Sequence, residues 1–183
     1  MLPAPETILI RPATLADVPA ITAIHVRGWQ TAYRGMMDDA FLDALPPDAW
    51  IPRWTRDVGA PDDVTTVCVA EEIASGRVVG FCSVSPQVHV APGDELLPPT
   101  GELQTLFVDA TFRGGGVGTR LIARAEERMR EMGCARGVLF MLTANHPAQR
   151  FYERMGWQLD GYTLVETFYG QEVPVSRLAK ALG

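Results

Sequence analysis

The stretch that decides the fold runs from Phe107 to Ile122 and reads FVDATFRGGGVGTRLI. Its apolar start predicts the end of a strand, and the consecutive glycines Gly114, Gly115 and Gly116 predict a sharp turn. Because glycine has no Cβ, a ligand can approach such a turn closely and positive φ angles carry no steric cost. The pattern after the turn predicts an amphipathic helix that begins near Val117. The unpaired N–H groups and positive dipole end of that helix predict an anion site, usually for phosphate.

The spacing of the glycines excludes two common phosphate-binding loops. A Walker loop requires Lys and then Ser or Thr after its last glycine, whereas Gly118 is followed by Thr119 and Arg120. A dinucleotide fingerprint requires G-x-G-x-x-G, and either Thr119 or Leu121 stands where its third glycine belongs. The motif that remains is R-x-x-G-x-G, which starts at Arg113.

This motif resembles the signature R/Q-x-x-G-x-G/A of the GNAT superfamily, the acyl-CoA-dependent N-acetyltransferases, where it binds the coenzyme A pyrophosphate. Taken alone, the hexamer fits a glycine-rich turn before an ordinary helix equally well. A second segment, from Asn145 to Trp157, resembles the GNAT pattern N-x-x-A-x-x-F-Y-x-x-x-G-F/W. Both segments occur in the family's order and about thirty residues apart. The chain is therefore identified as a member of the GNAT superfamily over nearly its whole length.

The remaining segments predict a mixed α/β fold. The predicted strands are 7–11, 65–71, 78–85, 102–108, 138–143, 157–166 and 172–179. The predicted helices are 14–28, 38–45, 49–56, 117–132 and 146–155. This order predicts a twisted, mostly antiparallel mixed sheet of about six to seven strands flanked by helices. It is also the order of elements in the GNAT fold.

Two segments are predicted to lack regular structure. Residues 1–6, MLPAPE, read as a loosely held tail. Residues 86–99 contain four prolines and no periodicity. A loop of that length is unusual inside a compact domain, so we expect either a flexible flap or an insertion that faces the substrate.

Composition restricts the class of protein. A length of 183 residues predicts a single domain over 1–183. The net charge of −6 argues against nucleic-acid or membrane binding, although Arg113, Arg120 and Arg124 could form a local basic group. Three cysteines without a C-x-x-C pair predict buried reduced thiols and a cytoplasmic protein. The three histidines show no metal-ligand spacing, so no metal is predicted.

The resemblance implies direct attack of a primary amine on acetyl-CoA in a ternary complex. Tyr152 is implied as the general acid for the departing thiolate, since a phenol (pKa about 10) and a thiol (about 8.5) are closely matched. Glu102 is implied as the base that deprotonates the amine through water, and a backbone N–H near Val108 as the oxyanion donor. The alternatives are a Tyr152 ring packed beside Phe151 and an exposed carboxylate at a strand end.

The resemblance also implies contacts to coenzyme A along both motifs. Leu106 to Val108 would pair with the pantetheine amides as an added strand. Asn145 would hydrogen-bond the pantetheine arm, cap the next helix, or do both. The residues implied in cofactor binding are Leu106, Phe107, Val108, Arg113, Gly114, Gly115, Gly116, Val117, Gly118, Thr119, Asn145, Ala148, Phe151 and Tyr152.

Acceptor recognition is expected from Trp29, Tyr33 and Phe168, although Trp29 and Tyr33, four residues apart on a helix, could instead close the core. The acceptor is expected to be the amine of a small molecule or a peptide, and a homodimer through the late strands is a further expectation. A second hypothesis is a non-catalytic acyl-CoA sensor, and a third is a nucleotide-binding regulatory domain. A sensor has no reason to keep both Tyr152 and Glu102, which favours the enzyme.

Overall fold

A computed structural model describes residues 7–59 and 65–183 of the chain, and the tail 1–6 of the sequence analysis lies outside this part. The strands are β1 (Ile8–Pro12), β2 (Thr66–Glu72), β3 (Arg77–Pro86), β4 (Thr100–Val108), β5 (Arg136–Leu142), β6 (Gln158–Phe168) and β7 (Gln171–Ala181). The helices are α1 (Val18–Ala32), α2 (Asp39–Asp43), α3 (Ile51–Gly59), α4 (Val117–Glu131) and α5 (His146–Arg154).

The strands form one open seven-stranded sheet in the order β1-β2-β3-β4-β5-β7-β6. Every neighbouring pair is antiparallel except β4 and β5, which are parallel. The helices cover both faces, because one buried cluster packs against α4 and another against α1 to α3. The predicted mixed α/β class is thus confirmed, and so is the prediction that the cysteines are buried and reduced.

The predicted boundaries agree with the structure within three residues, except at the first helix. Thr14 and Asp17 form a capping box, but they open a short 3-10 turn before α1, which then continues past Gly28 to Ala32. The prediction that the helix ends near Gly28 was therefore wrong. Gly28 serves another purpose, since a Cβ there would lie 2.3 Å from Cδ1 of Phe107. The glycine lets α1 approach β4 closely.

The parallel pairing of β4 with β5 is short. It joins Thr100–Leu103 to Arg136–Leu139, and beyond these residues the two strands no longer pair. A bulge follows in β4, because Ser83 pairs with Thr105 and Val84 with Leu103, which leaves Gln104 unpaired with β3. A bulge bends a strand and increases its twist. The second half of β4 therefore diverges from β5 and opens the sheet at its centre.

Close packing holds the paired end of these strands together. A Cβ at Gly101 of β4 would lie 2.6 Å from Cγ of Met129, and one at Gly137 of β5 would lie 2.8 Å from Cη2 of Trp157. Met129 and Trp157 are both fully buried. The two glycines let α4 and the chain after α5 pack directly on the sheet at the end opposite the opening.

Replacing Gly28 with alanine tests the contact between α1 and β4. An alanine inside a helix normally stabilises it by about 0.5–1 kcal/mol relative to glycine. In Gly28→Ala the new methyl group would meet the Phe107 ring, so we expect a net loss of about 1–3 kcal/mol in the free energy of unfolding. Urea denaturation measures this change.

Gly59→Ala at the end of α3 is the matched control, because its Cβ would lie at an ordinary 3.4 Å from Leu15 Cδ2. We expect it to leave stability unchanged or to raise it by up to about 1 kcal/mol. Equal effects of the two substitutions would contradict the close contact at Gly28.

Candidate active site

A cavity of about 940 Å³ lies where β4 and β5 separate. Leu106, Phe107 and Val108 line it, and these residues pair on their other side with β3. Their edge toward β5 has no strand partner, because the β4–β5 ladder ends at Leu103. Backbone groups of an unpaired strand edge can hydrogen-bond an extended ligand. The opening can therefore hold an extended ligand whose amide groups pair with the free edge of β4.

The glycine loop forms one end of this cavity. Gly114 and Gly116 have φ angles of +80° and +79°, and Gly116 is the N-cap of α4. The N–H groups of the first helical turn have no acceptor within the helix, so those of Val117, Gly118 and Thr119 are available to an anion. The Val117 side chain is 1% exposed and belongs to the core, so only its backbone can serve the site.

Gly115 and Gly118 contribute to the structure of the loop and to helix packing. Gly115 does not line the cavity, and its N–H donates to the carbonyl of Phe112 at 3.3 Å. Gly118 lines it, and a Cβ there would lie 3.1 Å from Cζ of Phe151. The absence of a side chain at Gly118 therefore lets α4 pack closely against α5.

Of the arginines expected near the phosphate, Arg113 lines the cavity. Arg120 does not, and its Nη1 donates to a backbone carbonyl of β1 at 2.5 Å. Arg124 forms ion pairs with two glutamates of its own helix. Arg154, which the sequence analysis did not select, also lines the cavity. The predicted basic group is thus placed differently from the expectation, with Arg113 and Arg154 facing the cavity.

Asn145 and Ala148 hold the start of α5 in the cavity wall. The Asn145 side chain is buried, and its Oδ1 accepts a hydrogen bond from the Ala148 N–H at 3.2 Å. The capping role is therefore observed. Nδ2 of Asn145 makes no hydrogen bond to the residues 7–59 and 65–183, so this nitrogen can donate to a ligand.

Tyr152 and Tyr33 bring two phenols to the same cavity. Burial raises the pKa of Tyr152 well above its usual range, and the nearby Tyr33 adds to the effect. Burial also raises the pKa of Tyr33 to about 12. The Tyr152 ring packs 5.3 Å from that of Phe151, yet its hydroxyl makes no hydrogen bond among the described residues. Packing thus holds the ring while the hydroxyl remains protonated and available as a donor.

Glu102 lies in the cavity wall but is only 3% exposed. Its Oε2 accepts hydrogen bonds from the N–H groups of Val88 and His89, each at 3.0 Å. Its Oε1 lies 2.8 Å from Nδ1 of His89. The exposed carboxylate considered from the sequence is therefore wrong. From the sequence, His89 was considered only as a metal ligand, and the unusual length of the 86–99 loop was the one signal that this segment faces the cavity.

Trp29, Tyr33 and Phe168 also line the cavity. The Trp29 ring lies 5.2 Å from Tyr33 and 5.6 Å from Phe168, both edge-on. Trp29 is 8% exposed, and its Nε1 donates to Nε2 of His25 at 2.8 Å. Burial, together with the Arg53 charge, lowers the pKa of His25 to about 3, so the imidazole stays neutral. These aromatic residues close the core and also line the cavity.

Within 7–59 and 65–183, no three His, Cys, Asp or Glu side chains gather in a way that could hold a metal ion. None of the helices in this part of the chain combines the length and apolar character needed to span a membrane.

Comparison with known proteins agrees with the geometry. The model of the Acetyltransferase (GNAT) family matches residues 27–157. Over 176 residues the chain is 26% identical to "Probable N-acetyltransferase Rv2775" of Mycobacterium tuberculosis, covering 93% of this chain and 91% of that protein.

Two solved structures share the fold. The PaiA N-acetyltransferase of Thermoplasma acidophilum in complex with coenzyme A gives a TM-score of 0.68 at 17% identity, covering 95% of this chain and 98% of that one. YncA of Salmonella typhimurium with its cofactor acetyl-CoA gives a TM-score of 0.67 at 20% identity, covering 97% of this chain and 95% of that one. Since the family match spans more than half of the sequence, this chain belongs to the GNAT family and is an N-acetyltransferase that uses acetyl-CoA.

Proposed function

We propose that the protein transfers the acetyl group of acetyl-CoA to a primary amine of a small molecule or peptide, by direct attack in a ternary complex. One observation carries the proposal. One cavity is lined by the glycine loop, the open edge of β4 and Tyr152, and also by aromatic and acidic side chains. Donor and acceptor can therefore meet without a covalent enzyme intermediate.

The residues of the cavity fit coenzyme A from end to end. The N–H groups from Val117 to Thr119, with Arg113, would bind the pyrophosphate, since both backbone donors and guanidinium suit phosphate oxygens. The open edge from Leu106 to Val108 would pair with the pantetheine amides. Asn145 Nδ2 would donate to the same arm, and Ala148 with Phe151 would pack against it. The N–H groups of the first turn of α4 and the free edge of β4 have no partner within their own elements, whereas Arg113 donates from Nη2 to Oγ1 of Thr31 at 3.2 Å and would use its other N–H groups.

Tyr152 supplies the proton for the leaving group in this proposal. Its raised pKa keeps the phenol protonated, and the residue lines the cavity. The raised pKa also places the phenol further from the thiol pKa than the close match expected from the sequence, so the transfer depends on the position of the hydroxyl at the leaving sulfur. A backbone N–H near Val108 would donate to the carbonyl oxygen as negative charge develops there. Glu102 places a buried carboxylate in the cavity wall beside the position proposed for the amine.

The aromatic and acidic end favours a cationic amine as acceptor. Trp29, Tyr33 and Phe168 provide ring surfaces, and Glu166 adds a carboxylate to the wall. An ammonium group is attracted both by aromatic faces and by carboxylates. We therefore infer an acceptor whose amine is attached to an apolar group.

The sensor alternative gains no support from this geometry. Tyr152 lines the cavity, and its hydroxyl has no hydrogen-bond partner among the described residues. A module that only binds acyl-CoA would have no use for a free donor at this point. An enzyme uses the same hydroxyl in every turnover.

Tyr152→Phe tests the general acid. The substitution keeps the ring and removes the proton, so we expect kcat to fall by about 100-fold or more while the Kd for acetyl-CoA is unchanged. Thiol release from acetyl-CoA in the presence of a panel of primary amines measures kcat, and calorimetry measures Kd. Tyr169→Phe is the control, because Tyr169 is 60% exposed and does not line the cavity. Full turnover in Tyr152→Phe would remove the assignment.

Gly116→Val tests the anion site at the start of α4. Gly133 is the matched control, because it follows the same helix, has the same φ of +79° and likewise has free space around its Cβ position. Both substitutions should lower the free energy of unfolding by a similar amount, about 1–3 kcal/mol, since valine resists positive φ.

Only Gly116→Val should weaken coenzyme A binding, by about 100-fold or more, because Gly116 alone of the two lines the cavity. Calorimetric titration of both folded variants with coenzyme A measures the difference. Equal affinities in the two variants would show that the loop does not bind the pyrophosphate.

A further inference from the structure

His89 stands between two carboxylates at the amine end of the cavity. Its Nδ1 lies 2.8 Å from Oε1 of Glu102, and its Nε2 lies 3.5 Å from Oε1 of Glu166. All three residues line the cavity, and they come from the 86–99 loop, β4 and β6. The imidazole is half-exposed, whereas the Glu102 side chain is 4% exposed. His89, and not Glu102, is therefore the group that an incoming amine can reach.

The contacts of Glu102 determine the tautomer of His89. An ionised carboxylate only accepts hydrogen bonds, so its partner at Nδ1 must be an N–H. The backbone N–H groups of Val88 and His89 occupy the other oxygen of Glu102 and fix the carboxylate in place. With its proton on Nδ1, a neutral imidazole has a lone pair on Nε2.

Nε2 of His89 and Oε1 of Glu166 lie 3.5 Å apart in the cavity wall, so one ligand group can contact both. Both are acceptors, and at 3.5 Å they repel unless a donor lies beside them. A primary ammonium group carries three N–H donors and a positive charge, so it satisfies both at once. Phe140, whose ring lies 5.2 Å from that of His89, gives this position an apolar wall.

We propose that His89 is the base that takes a proton from the acceptor ammonium, that Glu166 binds this ammonium, and that Glu102 is a positioning residue for His89. This inference rests on the proposed function and assigns its amine-binding end. The catalytic group thus comes from the proline-rich loop, outside both motifs that carry the family resemblance.

The loop that carries His89 is anchored to the sheet. Asp94 in this loop accepts a hydrogen bond from Nη1 of Arg177 on β7 at 2.6 Å, and both side chains are buried. Nε2 of Gln87 donates to Asp94 at 2.7 Å and to the carbonyl oxygen of His89 at 2.8 Å. Together with Glu102, these contacts hold the backbone on both sides of the imidazole. His89 is therefore placed by the fold and not by the substrate.

These groups account for every proton that moves during the acetyl transfer. An N–H bond of the ammonium breaks, and the proton bonds to Nε2 of His89. The freed lone pair forms the C–N bond with the thioester carbon while the carbonyl π electrons move to oxygen. The C–S bond then breaks, the thiolate takes the Tyr152 proton, and the second proton lost by nitrogen restores the phenol through solvent. One net proton leaves to solvent from His89.

Chemical rescue tests the role of the imidazole. His89→Gly should lower kcat by about 100-fold or more, leave the Kd for acetyl-CoA unchanged, and regain at least about tenfold in kcat with added imidazole. The assay uses the most active acceptor among spermidine, tryptamine, glucosamine and an alanine-terminated peptide, and imidazole with the unaltered enzyme is the control. A kcat of His89→Gly within about threefold of the unaltered enzyme would overturn the proposal.

Glu166→Gln tests the ammonium contact. It should raise the KM for the amine by about tenfold and change kcat less, since it removes a charge that binds the substrate. Glu172→Gln is the matched control, because Glu172 is exposed on the same β-hairpin and does not line the cavity. Equal KM values for the two variants would contradict the assignment of Glu166.

The tautomer of His89 provides a readout that needs no substrate. In nitrogen-15 spectra of the neutral imidazole, His89 should be the Nδ1–H tautomer, because Oε1 of Glu102 accepts from Nδ1. Glu102→Gln should remove this preference, because an amide can also donate to Nδ1. An Nε2–H tautomer in the unaltered protein overturns the inference. If imidazole does not restore kcat in His89→Gly, the observed tautomer decides whether the role of His89 stands.

The two proposals fail in distinguishable ways. A protein that releases no thiol with any amine, but shows the Nδ1–H tautomer, contradicts the proposed function. An active enzyme with the Nε2–H tautomer contradicts only the role of His89.

Discussion

The short parallel pairing between β4 and β5 is the constraint on which the site depends. Ladder hydrogen bonds extended to the ends of both strands would satisfy their backbones and close the space between them. Here the pairing stops after four residue pairs, and the bulge at Gln104 directs the rest of β4 away from β5. Tight packing of Met129 and Trp157 on Gly101 and Gly137 keeps the other end closed. The sheet thus stays intact while exposing backbone groups to a ligand.

The electrostatics of the opening differ between its two ends. The start of α4 and the guanidinium of Arg113 attract anions, whereas Glu166, with His89 and Glu102 beside it, attracts a cation. The chain as a whole has a net charge of −6, so long-range attraction cannot bring coenzyme A to the site. Groups at contact distance must provide the affinity. In the proposed reaction this arrangement would orient the two substrates, because the phosphates and the ammonium group would bind different charged groups of the cavity.

The sequence predicted most of what is contiguous in the chain. The R-x-x-G-x-G loop and the segment from Asn145 to Trp157 are short and carry their chemistry in neighbouring residues, so the family and the fold class followed from them. Local patterns also gave the strands and most helix boundaries. They could not predict where α1 ends, because Gly28 does not terminate the helix. A side chain at this position would collide with the ring of Phe107, which is distant in sequence. His89 and Glu166 were missed for the same reason, since only the tertiary fold brings the loop to β6.

The central claim is that coenzyme A binds in the opening, along the free edge of β4 and over the start of α4. Amide hydrogen exchange with and without coenzyme A tests it most directly, because bound ligand acceptors slow the exchange of the amides they contact. The account predicts slower exchange at 104–108 and 116–119, with no change in the hairpin formed by β2 and β3. Unchanged exchange in both segments at saturating coenzyme A, with protection elsewhere, would contradict it.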